Sequence, residues 1–400
     1  MTTGTWALES AVALQAAGLP VAVMAPTPWI PGLIAPNASL RAWSRVPSQQ
    51  IIRDVPVYYP RCPHYPQRWI NNVLYNKVPV LDTALLWPWC RPAVERIRTR
   101  HPFDVVHANF LFPSGYLGLM IKKRFGTPLV VHERSVQRLA MAAAHPARRA
   151  LYRRILRQAD LVITENERMA SDLREIEPAI ARLRVFKQPG SHPESVAGLT
   201  RKRPAAFAGR LVILSVGALS ERKGHEYLIR AVGKIKDEFP GLVCRIIGEG
   251  GKRAPLAELI NRLGLEGIVE LCGKRPHADV LGEMSWCDVF ALPSWGEAGG
   301  TVYGEAMQFG KPIIACTDEG ITDIVRDGQQ GRLVPPRDAD AVAEALRWLL
   351  SDTVRREQVG GRARALAEAE LGYPKLAQAL IGLYGELAAQ RRDGASIATH

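Results

Sequence analysis

The chain has 400 residues, 47% of them hydrophobic and 23% charged, with a formal net charge of +13. This composition is too apolar for a disordered chain, the length predicts two domains, and no run reaches the ~18 consecutive apolar residues of a membrane span. The charge is lopsided: residues 1–202 hold 27 Lys and Arg against 13 Asp and Glu, the remainder 25 against 26, so attraction for a polyanion belongs to the first half.

Met1 to Thr5 carry neither a basic nor an apolar export signal, which predicts a cytoplasmic protein. Ala7 to Ala17 read as a helix, with only Met1 to Trp6 ahead of it. A doubly wound sheet normally places a central strand before that helix. Lacking one would expose two sheet edges, so the expectation is a start farther upstream. Apolar runs at Pro20–Ala25, Asp104–His107, Pro128–His132 and Asp160–Thr164 then alternate with amphipathic stretches. Among the latter, Arg148–Arg157 predicts a helix with basic groups around an apolar stripe of Ala150, Leu151, Ile155 and Leu156. Such a helix suits an anionic membrane surface, or is simply a soluble helix with a solvated basic face.

A polar stretch, Gln188 to Ser195 followed by Arg201 to Pro204, reads as a connection between domains. The predicted division is 1–200 and 201–372, with 373–400 a last helix (Lys375 to Gln390) that caps the second domain or returns to the first. Strand-like runs resume at Leu211–Val216, Leu242–Ile247, Ile268–Leu271, Asp288–Leu292 and Pro312–Ala315. Continuous apolar strands alternating with helices predict an α/β fold of parallel sheets covered on both faces. The six cysteines are scattered and read as reduced core thiols; Cys62 and His64 lack a second pair to complete a metal site.

The densest stretch runs from Leu292 to Pro312: a strand end, a glycine loop, a short helix. Gly299, Gly300 and Thr301 open that helix, where backbone N–H groups and the positive dipole end suit a diphosphate. Glu297 leaves the loop before the helix and Glu305 lies one turn inside it, so the two acids are placed to grip different hydroxyl-bearing parts of one ligand. Two acids eight residues apart are by themselves an ordinary solvated face; the Gly-Gly-Thr setting favours a ligand loop.

Taken with Val216–Gly224, Ile246–Gly250, Asp288–Ser294 and Gly331–Asp338, this segment resembles the donor-site signature of family 4 glycosyltransferases of the GT-B fold. The resemblance implies two Rossmann-like parallel-sheet domains facing a central cleft. It also implies retention of anomeric configuration and a nucleotide-diphosphate sugar as donor substrate; with no Asp-x-Asp motif in a donor-site context, and with the cations Lys223 and Arg222 and the loop amides present, neither metal nor cofactor is expected. By it, Glu297 binds hydroxyls of the transferred sugar and Glu305 those of the ribose, while Ala298, Gly299, Gly300 and Thr301 line the donor. Lys223 matches the family's diphosphate lysine, but the arginine that accompanies it in the family is Ala218 here, and the neighbouring Arg222 is the substitute cation. In the first half, Gly4-Thr-Trp6 resembles the end of the family's diphosphate-facing loop, Asp104–Ala108 its third-strand motif, and His132 an acceptor-facing histidine preferred here over His107. The catalytic set is thus Lys223, Glu297 and His132. The acceptor that the resemblance implies is a polysaccharide, glycolipid or other sugar- or lipid-linked molecule, and the expectation is an enzyme that reaches it from the cytoplasm or peripherally on the inner membrane face through 148–157.

Three rival readings exist. A nicotinamide-dependent dehydrogenase has only a partial loop at Gly248–Gly251 in its favour, since Arg253 stands where the last glycine is needed. Nucleic-acid binding lacks an aromatic platform among the basic residues. A nucleotide-sugar-binding relative with lost or impaired catalysis would follow from Ala218.

Overall fold

The computed structural model describes residues 5–29, 45–63, 79–187, 198–317 and 319–397. They group into two units, Met1–Phe186 with Pro374–His400, and Lys187–Tyr373.

In the first unit, a helix at Thr5–Ala16 precedes β1 (Val23–Met24), β2 (Thr27–Trp29), β3 (Gln49–Ile52), β4 (Val55–Tyr58) and β5 (Arg61–Pro63). The strands β6 (Val106–Asn109), β7 (Leu129–His132), β8 (Leu161–Thr164) and β9 (Leu183–Val185) form a parallel sheet in that order. Every residue of β7 and β8 is buried, as expected of strands covered on both faces. Ser135 and Asn166 accept hydrogen bonds from Arg138 N–H and Met169 N–H, capping the helices Val136–Ala144 and Glu167–Ile176 that follow.

The parallel expectation fails at β3, which pairs antiparallel with β4, while β4 pairs parallel with β1 and β2 with β5. The turn between β3 and β4 is Arg53-Asp54, both at positive φ (50° and 65°). Neither is the glycine or asparagine that ordinarily marks such a hairpin in a sequence. The sheet runs to the end of this unit, where Phe186 N–H donates to the Thr164 carbonyl and continues the bonding of β8 with β9. The last helix, Tyr373–Ile397, is longer at both ends than predicted, and from Pro374 on it belongs to this first unit. Its Tyr384 hydroxyl bonds His107 Nδ1, and its Glu386 pairs with Arg182 at 2.6 Å.

The helix Pro146–Gln158 carries the expected apolar stripe except at Ala150, and packs it inward. Leu151, Tyr152, Ile155 and Leu156 are buried in the unit's core, Arg148 is buried with them, and Ala150 is exposed. On its outer side Arg153 and Arg157 pair with Glu177 at 3.3 and 2.6 Å, and the Arg154 guanidinium lies 5.9 Å from the Tyr116 ring centre. The apolar stripe of this helix is therefore committed to protein, and its outer face presents arginines and alanines.

The second unit is a six-stranded, all-parallel sheet of β10 (Val212–Val216), β11 (Val243–Ile247), β12 (Val269–Gly273), β13 (Val289–Ala291), β14 (Ile313–Cys316) and β15 (Gly331–Val334), ordered β12-β11-β10-β13-β14-β15. Alternation along β10 supplies two cores: Ile213 packs on one face with Leu228, Val232 and Leu346, Val212 and Leu214 on the other with Met284, Phe290 and Met307. The order reverses between β10 and β13, and ligands of open α/β sheets bind beyond the carboxyl ends of strands at such a point. All six cysteines are free, and five are buried. Among the described residues, no helix is long and apolar enough to cross a membrane.

Candidate functional site

Two segments leave the switch point. After β10 the chain passes Gly217 and the exposed Ala218 into a single turn, Glu221–Lys223, closed by Gly224 at φ 68°. A side chain at Gly224 would overlap the Pro293 carbonyl, so glycine alone lets this turn lie against the end of β13. After β13 the loop Pro293–Gly300 leads to the helix Thr301–Gln308. Gly300 has φ 72°, and a side chain there would meet the Tyr303 ring.

These contacts bring the sequence-selected side chains onto one carboxylate. Lys223 Nζ lies 2.9 Å from Glu297 Oε1, and Arg222 Nη1 lies 3.4 Å from the same oxygen. Adjacent residues reach the same acid because a tight turn carries them and because Arg222 also donates to the Gly296 carbonyl at 3.0 Å. Trp295 N–H returns a bond to the Arg222 carbonyl at 2.9 Å. The Lys223 stem runs beside Gly217, where a side chain would press on it. Lys223 and Glu297 are 18% and 15% exposed, so both charges are largely shielded yet reachable by a ligand.

No side chain caps the helix Thr301–Gln308; Gly300 stands at its entrance, and Ala298 and Gly299 precede it in the loop. Tyr303, buried, anchors the helix by bonding Ser294 Oγ at 2.9 Å and the Leu292 carbonyl. Glu305, one turn in, is 8% exposed and accepts from His277 Nε2 at 2.9 Å. The sequence reading missed His277. It also missed Glu319, whose carboxylate takes the Gly296 and Glu297 amides at 2.8 Å each. Both lie at positions whose local sequence carries no pattern: His277 opens a helix, and Glu319 follows β14.

In the first unit, His132 ends β7 and is buried, with Nε2 lacking a hydrogen-bond partner among the described residues. Burial holds its pKa well below the usual histidine value, reinforced by the Arg134 charge and by His107. Its ring centre lies 5.6 Å from that of His107, which burial and Arg134 hold at about 3. Both imidazoles are therefore neutral near pH 7. The next residue, Glu133, accepts from the amides of Leu111, Arg134 and Ser135, yet burial dominates and raises it to about 7. Arg134 forms a buried pair with Glu165 at 2.5 Å. The polar run His132-Glu133-Arg134 directly after an apolar strand was the available signal for Glu133. Gly4 lies outside the described residues, as does His64.

Comparison with known proteins bears on this geometry. The chain matches the family described as Glycosyl transferases group 1 over residues 199–366 and the Glycosyl transferase 4-like domain over residues 2–187. It is 29% identical over 306 residues to a D-inositol 3-phosphate glycosyltransferase of Corynebacterium diphtheriae, covering 72% of this chain and 71% of that protein. Among solved structures, sucrose-phosphate synthase from Thermosynechococcus elongatus is similar with a TM-score of 0.77 and 22% identity, over 98% of this chain and 94% of that one. Anabaena HepE in complex with UDP-glucose is similar with a TM-score of 0.62 and 23% identity, over 73% and 81% of the two chains. The two matched regions together take in most of the sequence, and this chain belongs to the family 4-like glycosyltransferases of the GT-B fold.

Proposed function

We propose that the protein transfers a glycosyl group from a nucleoside-diphosphate sugar to a sugar or lipid-linked acceptor, with retention of anomeric configuration and without a metal or organic cofactor. The observation that carries this reading is the convergence of Lys223 and Arg222 on Glu297 at the switch point of the second unit. Cleaving the donor builds negative charge on the diphosphate while the anomeric carbon becomes cationic, so positive potential at the leaving group is the chief requirement. Lys223, Arg222 and the amino end of the helix Thr301–Gln308 supply it.

In the free protein Glu297 is the counter-ion of Lys223. An arriving diphosphate takes over the lysine and frees the carboxylate for hydroxyls of the sugar. Glu305 exchanges His277 for the ribose hydroxyls in the same way. Glu297 thus positions the sugar and is not a covalent nucleophile, unlike the carboxylate of a retaining hydrolase. His132, neutral by burial, acts through hydrogen bonding and not as a cation. Arg222 takes the place of the second diphosphate cation, since Ala218 occupies that position.

Structures of HepE hold UDP or UDP-glucose, which makes a uridine donor the first to test. A cytoplasmic enzyme meeting the inner membrane face through the helix Pro146–Gln158 would do so by the charge of its basic face, because the apolar stripe of that helix is buried. Calorimetric titration with UDP, GDP and ADP, each with and without EDTA, tests the donor reading. One of the three binds, EDTA leaves that binding unchanged, and failure of all three removes the proposal.

A further inference from the structure

Glu319 is the residue before the turn Gly320–Asp323, and its side chain makes no capping bond to that turn. Both oxygens reach across to the loop after β13, Oε1 accepting from Gly296 N–H and Oε2 from Glu297 N–H, each at 2.8 Å. Gly320 N–H returns a bond to the Glu297 carbonyl at 3.3 Å, so the backbone of Glu297 is held on both its donor and its acceptor side. Glu319 is itself fixed: its carbonyl accepts from Thr322 Oγ1 at 2.8 Å and Thr322 N–H at 2.9 Å. It is buried, and a buried carboxylate is retained only where charge-assisted bonds offset its desolvation.

We propose that Glu319 is a positioning residue for donor-sugar recognition, gripping the backbone of Gly296 and Glu297 so that the Glu297 carboxylate is presented at the sugar. This rests on the reading of Glu297 given above. The other side of the loop is tied by Arg222 to the Gly296 carbonyl, so the segment is braced between the turn after β10 and the segment after β14. With the amides of Gly296 and Glu297 occupied, the diphosphate is directed to the later amides of the loop and helix. Loss of Glu319 therefore loosens the sugar end of the site and leaves the nucleotide end intact, a split that a merely structural residue would not produce.

The test uses the full chain with UDP and UDP-glucose as probes. Amide exchange in the unmodified protein should show Gly296 and Glu297 protected. Glu319→Gln, which replaces one acceptor by a donor facing an N–H, should speed exchange at these two amides at least tenfold. UDP affinity should stay within about twofold, while kcat for UDP-glucose hydrolysis falls about tenfold or more. Glu319→Asp, with both acceptors on a shorter arm, should fall between and serves if the Gln variant does not fold. Unchanged exchange, unchanged hydrolysis, or a parallel fall in UDP affinity and hydrolysis each overturns the proposal. If the unmodified protein binds no UDP and hydrolyses no UDP-glucose, the uridine-donor reading fails instead, a result visible before any variant is made, and the same comparison is made with whichever of GDP and ADP binds and its glucose ester, while the exchange rates still test the grip of Glu319 on the two amides.

Discussion

Lys223 Nζ and Glu297 Oε1 lie 2.9 Å apart at the carboxyl end of adjacent strands β10 and β13. On the proposed reading, Lys223→Ala removes a cation from the diphosphate, and it leaves Glu297 with Arg222. A charge-assisted phosphate contact is worth roughly 1.5 to 3 kcal/mol. The variant should therefore bind the preferred nucleoside diphosphate about 10- to 150-fold more weakly by calorimetry. Affinity unchanged by the substitution would mean that the diphosphate sits elsewhere.

Glu305 is assigned to the ribose, with His277 as its partner in the free protein. In Glu305→Ala, affinity for the nucleoside diphosphate should drop about tenfold, the loss expected from about 1.4 kcal/mol of hydroxyl bonding. Inorganic pyrophosphate, which has no ribose, should bind the variant and the parent alike. Equal losses for both ligands would show that Glu305 supports the fold of the site and does not touch the ribose.

Gly224 combines a left-handed backbone with contact against the Pro293 carbonyl. Gly224→Ala should lower stability by more than the ~1 kcal/mol of backbone strain, since the turn must also move. Because that turn carries Arg222 and Lys223, nucleotide binding should weaken with it. A variant with parental melting temperature and affinity would contradict the packing described.

Burial depresses His107, to about 3, and His132, well below its usual value, so each binds a proton more readily when unfolded. As pH falls below about 6.5 the unfolded chain gains those protons and the folded one does not, and stability is lost, at roughly 1.4 kcal/mol per pH unit for each group. Glu133 has the opposite sign: raised to about 7, it is protonated when folded and ionised when unfolded between about 4.5 and 7, so its contribution is present at low pH and lost as pH rises through 7. Melting temperatures measured from pH 5 to 8 should show Glu133→Gln gaining on the parent with rising pH, and His107→Gln gaining on it with falling pH. Parallel curves for all three proteins would refute these environments.

The buried stripe of the helix Pro146–Gln158 makes Leu156→Ala a folding mutation, costing about 2 to 5 kcal/mol, with no direct effect on lipid binding. Sedimentation with anionic vesicles should show binding that high salt abolishes and that Arg153→Gln with Arg154→Gln reduces. Salt-resistant binding would require an apolar insertion that this helix does not offer.

Strands such as Val212–Val216 and Leu161–Thr164 were legible because a strand covered on both faces must be apolar throughout, a requirement written locally. The candidate donor loop was legible for a similar reason, since Gly299, Gly300, Glu297 and Glu305 lie within one loop and one helix turn. By itself, then, the sequence determined the layered α/β class and the family, and marked the candidate donor segment. Tertiary structure decided what depends on partners far away in the chain: the sharing of Glu297 by Arg222 and Lys223, the grip of Glu319, the pairing of His277 with Glu305, and the burial of Arg148 and the apolar stripe beside it. A hydrogen bond or ion pair acts over about 3 Å and is indifferent to separation along the chain, so only the folded backbone selects which polar groups meet.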